Sequence, residues 1–247
     1  MSTSNSAHPP GLRIVAIPIA FNEELKIGRV LDRFVDVQGI DIAVLDDGST
    51  DRTPDIVQEK NAMLIQHTHR QGAGAAIRTA YAWARERDYD VCVIMAGNDK
   101  DRPAEIPRLV DPIVSGEADL VQGSRYLPGG DFGNMPFYRR ISTQIVHPIL
   151  FSIAARRRLT DTTNGFRSLR LSVLDDSRVN LDQDWLDKYE LEPYLLFTMI
   201  RRGYGVREVP VTKIYPPAAL GYTKMKPITG WWSILRPIFL LGLGLRK

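Results

Sequence analysis

The chain has 247 residues, 44% of them hydrophobic and 25% charged, which is typical of one ordinary globular domain with an appendage. Its net charge of +3 favours anionic ligands such as diphosphates or lipid head groups, without selecting among them. The single cysteine excludes a disulfide framework and indicates a reducing compartment. Because Cys92 lies in an apolar run, we interpret it as a core residue and not as a nucleophile.

Strands and helices alternate along the first half of the chain. Apolar runs predict strands at residues 12–20, 41–45, 63–66, 91–95 and 118–122. Helical spacing of apolar residues predicts helices that begin near Ile27 and Gly72. Parallel strands need such crossovers, so we predict an α/β fold with a Rossmann-like, mostly parallel sheet and helices on both faces. Ligands of such sheets bind at the carboxyl ends of the strands.

Three loops turn polar directly after these strands. They contain Asn22 and Glu23, then Asp46 and Asp47, and then residues 96–101. Ser49, Thr50 and Asp51 suit helix capping, but two adjacent aspartates exceed what a cap needs. We therefore expect Asp46 and Asp47 to bind a ligand, with Gly48 allowing the sharp turn.

Two further features suit an anion. The Gly72-x-Gly74 pair opens a helix, where it serves either an anion or close packing. Arg125 follows the strand at residues 118–122, and its guanidinium can fork onto a diphosphate. After this point the alternation weakens. Helical segments at residues 138–153 and 190–202 and a strand at 206–211 are expected to shape an acceptor site.

Several motifs together resemble family 2 glycosyltransferases, and within them the dolichyl-phosphate mannose synthase and polyprenyl-phosphate glycosyltransferase branch. They are IPIAFNE at residues 17–23, VLDDGSTD at 44–51, GSRY at 123–126, DTTNGFR at 161–167, and GY with EVP at 203–204 and 208–210. The resemblance implies a GT-A fold, the nucleotide-diphospho-sugar transferase type. It also implies that Arg125 faces the donor phosphates, and that the nucleoside is held by Pro18, Ala20, Asn22, Glu23, Asp46, Asp47, Gly48 and Asn98.

The chain departs from the family at the expected metal site. Where the family reads Asp-x-Asp-x-Gln before a proline, this chain reads AGNDKDRP at residues 96–103. The family pair helps to hold Mg²⁺ or Mn²⁺ against the diphosphate. Three accounts stay open: a divalent cation held by Asn98 with Asp101 or by Asp99 with Asp101, positive charge supplied by Lys100 instead, or loss of catalysis.

The resemblance also suggests a polyprenyl phosphate acceptor, which is already ionised and needs no strong base. Arg139, Arg140 and Arg167 are then expected at the acceptor phosphate, with a further arginine run at residues 156–158. For a hydroxyl acceptor, Asp161 is the first choice of general base, ahead of Glu190. A loop-stabilising role for Asp161 is the alternative.

The remaining predictions concern the carboxyl end of the chain. Lys224 aligns with a family lysine that closes over the diphosphate, and we expect it on a mobile loop. No window reaches the ~18 uninterrupted apolar residues of a membrane-spanning helix. Adjacent tryptophans, an apolar body and flanking cations at residues 231–247 favour a helix lying in the cytoplasmic membrane interface. The alternative is a helix docked on the core or on a second subunit.

The expected organisation is a disordered segment at 1–10, a catalytic domain at 11–213 and a loop with interfacial helices at 214–247. Within the domain, residues 11–122 form the nucleotide half and 123–213 the acceptor half. No apolar signal-peptide stretch precedes residue 11, so we expect a cytoplasmic protein on the inner membrane face.

The predicted activity is inverting transfer of a hexose from a GDP-mannose or UDP-glucose type donor to polyprenyl or dolichyl phosphate. The alternatives are transfer to a glycan or small-molecule hydroxyl, and a non-catalytic nucleotide-sugar-binding protein. We expect no nucleic acid partner.

Overall fold

The computed structural model describes residues 11–215 and 227–246. The predicted disordered segment 1–10, Lys224 and most of the predicted mobile loop lie outside the described residues.

Seven strands form one sheet in the order β3-β2-β1-β4-β6-β5-β7. All neighbouring strands are parallel except at β6, which runs antiparallel to both β4 and β5. The predicted mostly parallel sheet is therefore confirmed. The strands are β1 Ile14–Ala20, β2 Asp41–Asp46, β3 Met63–Gln66, β4 Val91–Ala96, β5 Leu120–Ser124, β6 Arg167–Arg170 and β7 Val206–Pro210.

Eight α-helices accompany the strands in the described residues. They are α1 Ile27–Asp32, α2 Thr53–Glu59, α3 Ala73–Arg85, α4 Ile106–Val114, α5 Phe137–Ile141, α6 His147–Ala155, α7 Leu191–Arg201 and α8 Pro227–Gly242. A π-helical turn, Ser142–Val146, joins α5 to α6. None of the described helices is long and apolar enough to cross a membrane.

The sheet has a buried apolar layer on each face because strand residues alternate between faces. In β1, Val15 and Ile17 belong to the layer covered by α3, α6 and α7, whereas Ile14 and Ala16 belong to the layer on the other face. Helices α1, α2 and α4 pack on that second face. Cys92 is fully buried in the first layer, and burial raises the pKa of its thiol, as expected of a core residue.

The short strand β6 was not predicted, and it changes the environment of Arg167. Arg167 was expected at the acceptor phosphate, but it begins β6 and is 1% exposed. Its guanidinium donates to the carbonyls of Asn164 and Glu192 and lies 3.2 Å from the Glu192 carboxylate. The residue therefore fixes the 164–167 segment inside the protein.

Candidate active site

A cleft of about 950 Å³ opens at the carboxyl ends of β1, β2 and β4. This is the edge of the sheet where the sequence places the ligand site. The loops after those strands form one side of the cleft, and the start of α3 and residues 188–192 form another. Of the predicted nucleoside residues, the lining includes Ala20, Asn22, Glu23, Asp47 and Asn98.

The loop after β1 is locked to the loop after β2. Asn22 adopts a left-handed backbone conformation with φ of 51°, and its side-chain oxygen accepts a hydrogen bond from the Thr50 N–H at 2.8 Å. Its own N–H donates to the Ser49 hydroxyl at 2.7 Å. Glu23 forms a buried ion pair of 2.7 Å with Lys26. Pro18 lies deeper in β1, buried and paired in register with Met95.

Asp46 and Asp47 have different environments. Asp46 is fully buried, and its carboxylate accepts hydrogen bonds from the Ser49 N–H at 3.1 Å, from the Ser49 hydroxyl and from Gln66. It therefore closes its own turn and does not line the cleft, contrary to the predicted ligand contact. Asp47 lines the cleft, with its oxygens held by the N–H groups of Gln71 and Gly72 at 2.9 Å and by His67.

Glycines permit close backbone approach at two points around Asp47. Gly48 has φ of +69°, and an added Cβ would lie 2.4 Å from the His69 carbonyl carbon, so its role is in the backbone turn. A Cβ on Gly74 would lie 1.8 Å from the Leu186 carbonyl oxygen. The Gly74 N–H donates to the Asp187 carbonyl at 2.9 Å. Of the two interpretations of Gly72-x-Gly74, the structure supports close packing over anion binding.

The proposed metal ligands point to other partners. Asp99 has φ of +63° and pairs with Arg29 and Arg33 at 3.3 and 2.9 Å. Asp101 is 1% exposed and accepts hydrogen bonds from Lys213 Nζ at 2.6 Å and from the Ala96 N–H at 2.9 Å.

Asn98 is the only one of the three predicted metal ligands that lines the cleft, and its side-chain oxygen is buried without a hydrogen bond. Within residues 11–215 and 227–246, no three histidine, cysteine or acidic side chains are grouped to hold an ion. These residues do not fit the predicted divalent cation.

Several positive side chains line the cleft, among them Lys26, Lys100, Lys213 and Arg139. Burial lowers the pKa of the Lys100 ammonium to about 7, and the cationic neighbours act in the same direction. The Asp101 carboxylate acts in the opposite direction. A buried ammonium among like charges is stabilised by an arriving anion. The part of the cleft beside Lys100 therefore suits phosphate groups.

Comparisons with known proteins agree with this geometry. The sequence model described as Glycosyl transferase family 2 matches residues 15–178, more than half of the chain. The chain belongs to glycosyltransferase family 2. As a member of this family it is an enzyme that transfers a sugar.

Two relatives match over most of their length. The undecaprenyl-phosphate mannosyltransferase of Micrococcus luteus is 31% identical over 225 residues, which cover 87% of this chain and 88% of that protein. The polyprenol monophosphomannose synthase of Mycolicibacterium smegmatis is 31% identical over 233 residues, covering 89% and 83%. The predicted relationship to the polyprenyl-phosphate branch is therefore confirmed.

A solved structure supports the GT-A fold. Glucosyl-3-phosphoglycerate synthase from Mycobacterium tuberculosis, in complex with Mn²⁺, UDP and glucosyl-3-phosphoglycerate, superposes with a TM-score of 0.68 at 19% identity. The alignment covers 96% of this chain and 82% of that one. The same synthase is also solved with Mg²⁺ and UDP. At this identity the likeness shows the fold alone.

In this glycosyltransferase, Arg125 and Asp161 bind each other beneath the cleft. Arg125 Nε and Nη2 donate to the two Asp161 oxygens at 2.6 and 2.8 Å, with the side chains 3% and 0% exposed. Arg125 also donates to Thr163 and Tyr215, and the Thr163 N–H donates to Asp161. Arg125 does not line the cleft in which the diphosphate was predicted to bind. The alternative role of Asp161, stabilising its loop, is the one that the structure supports.

The predicted acceptor arginines separate in the structure. Arg139 lines the cleft and lies over the Tyr215 ring, 5.4 Å from its centroid. Arg140 stacks on Phe132 at 4.3 Å and donates to Gln144. In the 156–158 run, Arg157 donates to the Val206 carbonyl. Only Arg139 of the predicted acceptor set lines the cleft.

Sequence reasoning missed several lining residues, among them Phe21, Arg70 and Lys213. Arg70 lies over the Phe21 ring at 4.3 Å beside Asp47, and Lys213 binds Asp101. Phe21 directly precedes Asn22 in the IPIAFNE motif, so the motif itself could have indicated it. Arg70 and Lys213 carry no motif, because their loops reach the cleft only through the folded sheet.

Helix α8 docks on the core and adjoins the cleft. Ile238 and Leu241 are buried against the apolar layer, and Arg236 pairs with Glu190 at 2.9 Å. Ser233 lines the cleft and accepts a hydrogen bond from the Tyr189 N–H. Glu190, the second-choice general base, is thus bound to α8. One face of α8 packs on the core, which agrees with the alternative of a docked helix. Its other face exposes Trp232 and Phe239.

Proposed function

We propose that this enzyme transfers a hexose from a nucleotide-diphosphate sugar to a polyprenyl phosphate, with inversion at the anomeric carbon. The observation that carries the proposal is one cleft lined both by the Asp47 carboxylate and by a group of cations. Names of the relatives support the acceptor: one is an undecaprenyl-phosphate mannosyltransferase and another a dolichol-phosphate mannosyltransferase, from Pyrococcus furiosus.

Donor binding follows from the two kinds of charged group that line the cleft, the Asp47 carboxylate and the cations. The Asp47 carboxylate is oriented by backbone N–H groups, so its remaining lone pairs can accept hydrogen bonds from a base or a ribose. Guanine and uracil both offer such donors, and the donor class remains GDP-mannose or UDP-glucose type. Asn22, Glu23 and Ala20 line the cleft together with Asp47 and complete the proposed nucleoside site. The cations receive the diphosphate.

The reaction is a single displacement. An ionised oxygen of the acceptor phosphate attacks the anomeric carbon and forms the new C–O bond. The bond from that carbon to the diphosphate breaks on the opposite side, and the electron pair leaves with the nucleoside diphosphate. Cations near the leaving group stabilise its developing charge. Because the attacking oxygen is already ionised, the step needs no general base, which agrees with the binding of Asp161 to Arg125.

No step is assigned to a divalent cation in this proposal. The solved neighbours of the same fold bind Mn²⁺ or Mg²⁺ with UDP. In this chain Asp99 and Asp101 are paired with arginine and lysine side chains instead. We also propose a nucleotide half at residues 11–122 and an acceptor half at residues 123–213.

The decisive experiment is a transfer assay with radiolabelled GDP-mannose and UDP-glucose, a short polyprenyl phosphate and lipid extraction. We expect label in the organic phase, sensitive to mild acid. Matched reactions contain the same polyprenol without phosphate, or a panel of glycan and small-molecule hydroxyls. Transfer only to a hydroxyl would replace the proposed acceptor. Donor binding without transfer to any acceptor would indicate a non-catalytic protein.

A ridge of exposed apolar residues supports peripheral binding to the inner face of the cell membrane. Ile145, Ile149 and Ile153 are four residues apart along the π turn and α6, and they are 50%, 54% and 71% exposed. Phe137 and Tyr138 extend the ridge on α5, next to Arg139 and Arg140. An apolar strip flanked by cations suits an anionic lipid surface.

We expect the double substitution Ile149→Glu and Ile153→Glu to abolish cosedimentation with phosphatidylglycerol-containing vesicles. Two carboxylates would be repelled by the anionic surface, and two apolar contacts would be lost. Val35→Glu is the matched control, because Val35 is 75% exposed but lies after α1. The rate of sugar transfer to a water-soluble acceptor analogue is expected to stay unchanged. Vesicle binding by the double variant at the level of the control would remove this surface.

A further inference from the structure

We propose that the donor diphosphate is held by Lys100 and Arg139, at the place where the family holds a divalent cation. The inference rests on the proposed function and names the groups that replace the ion. Both side chains line the cleft and contact one aromatic ring: Lys100 Nζ lies 5.0 Å and the Arg139 guanidinium carbon 5.4 Å from the Tyr215 centroid.

The acidic side chains of this loop are already paired with cations. An ion at Asp101 would compete with Lys213, and an ion at Asp99 would compete with two arginines of α1 and its cap. A left-handed backbone at Asp99 fixes the direction of its side chain. Each replacement would separate a charge pair, and the Asp101–Lys213 pair is largely buried, which makes its loss costly.

The charge balance of the same region favours an anion. Among the described residues, the cations of Lys213, Arg139 and Lys26 and the carboxylate of Asp101 act on the Lys100 ammonium. Lys213 offsets Asp101, and Lys26 offsets Glu23. Lys100 and Arg139 line the same cleft, so a diphosphate bound there can contact both cations. A lysine supplies a point charge, and an arginine supplies a forked donor, so together they can contact two phosphate groups.

Tyr215 positions these two cations. Its ring is 3% exposed and its hydroxyl accepts a hydrogen bond from Arg125 at 3.2 Å. The Ile214 N–H donates to the Lys100 carbonyl at 2.9 Å, which ties residues 213–215 to the loop after β4. The buried Arg125–Asp161 pair thus supports Lys100 and Arg139 through Tyr215 and does not itself line the cleft.

The test is calorimetric titration of the full chain with UDP and with GDP, in EDTA and then with Mg²⁺ or Mn²⁺. We expect the better-bound diphosphate to bind in EDTA with an affinity within about threefold of that with metal. Lys100→Met should weaken that binding roughly tenfold or more, because a charge-assisted contact is lost. Lys60→Met is the control, since it removes the same charge from an exposed helix end. Binding that requires a metal, or a Lys100→Met variant with normal affinity, would overturn the proposal.

A reciprocal variant restores the family pattern by Ala96→Asp, Asn98→Asp and Lys100→Gln. We expect its diphosphate affinity to fall in EDTA and to recover with Mn²⁺. Normal affinity of this variant in EDTA would also overturn the proposal. The transfer assay is independent of these titrations: metal-free binding without transfer to polyprenyl phosphate contradicts only the proposed function, and transfer with metal-dependent binding contradicts only the lysine and arginine site.

Discussion

Replacing Arg125 by methionine is expected to lower the free energy of unfolding by about 3–5 kcal/mol, because it leaves the Asp161 carboxylate buried without its counter-ion. Chemical denaturation followed by circular dichroism measures this change. Arg178→Met is the matched control. Arg178 also pairs with an aspartate, Asp176, but the pair lies at the surface, so little change is expected.

A double variant distinguishes the effect of the unpaired Asp161 carboxylate from the effect of losing the Arg125 side chain. Combining Arg125→Met with Asp161→Asn removes both charges and keeps an acceptor for the Thr163 N–H. We expect it to regain a substantial part of the stability lost by Arg125→Met. No recovery would show that packing of the guanidinium, and not the ion pair, accounts for the loss.

The same variant decides between the sequence prediction and the structure. The sequence placed Arg125 at the donor phosphates, whereas the structure places it beneath Tyr215. At a temperature where Arg125→Met stays folded, we therefore expect its diphosphate affinity to remain within about threefold of the unmodified protein. A loss of roughly a hundredfold would indicate direct phosphate contact.

Gly74→Ala is expected to destabilise the protein by about 3 kcal/mol and to weaken donor binding. The new Cβ would overlap the Leu186 carbonyl oxygen at 1.8 Å, so residues 186–188 must move. Lys188 and Tyr189, which follow at that point, line the cleft. Thermal unfolding and titration with the diphosphate measure the two effects.

Gly28→Ala is the control for this substitution. Gly28 and Gly74 are each the second residue of a helix, but a Cβ on Gly28 meets only Ile56 at an ordinary 3.4 Å and a lysine side chain. Alanine there is expected to be neutral or slightly stabilising, because it is the better helix former. Equal stability of both variants would show that the 186–188 segment yields freely.

The alternation of strands and helices allowed the sheet and the edge that carries the site to be predicted. Apolar runs of four to nine residues, separated by helical spacing, permit few arrangements other than a parallel sheet. β6 was missed because Arg167–Arg170 is short and begins and ends with arginine. Only its position between β4 and β5 makes it a strand.

The sequence alone did not indicate which charged residues contact each other. Neighbouring residues of a strand point to opposite sides, which indicates that only one of Asp46 and Asp47 can face a ligand, but not which one. The structure selects Asp47, because Asp46 closes the turn at Ser49. Likewise, the AGNDKDRP stretch left three accounts open, and only the folded structure shows that residues 29, 33 and 213 pair with its acidic side chains.

The amino-acid sequence by itself determined the family, the α/β sheet and the loops that approach the donor, since these follow from local patterns and motif order. The tertiary structure decided which charges meet. Arg125 binds Asp161, Lys213 binds Asp101, and Arg167 lies inside the protein. These pairings join positions far apart in the chain, and a buried charge takes the nearest opposite charge that the fold supplies.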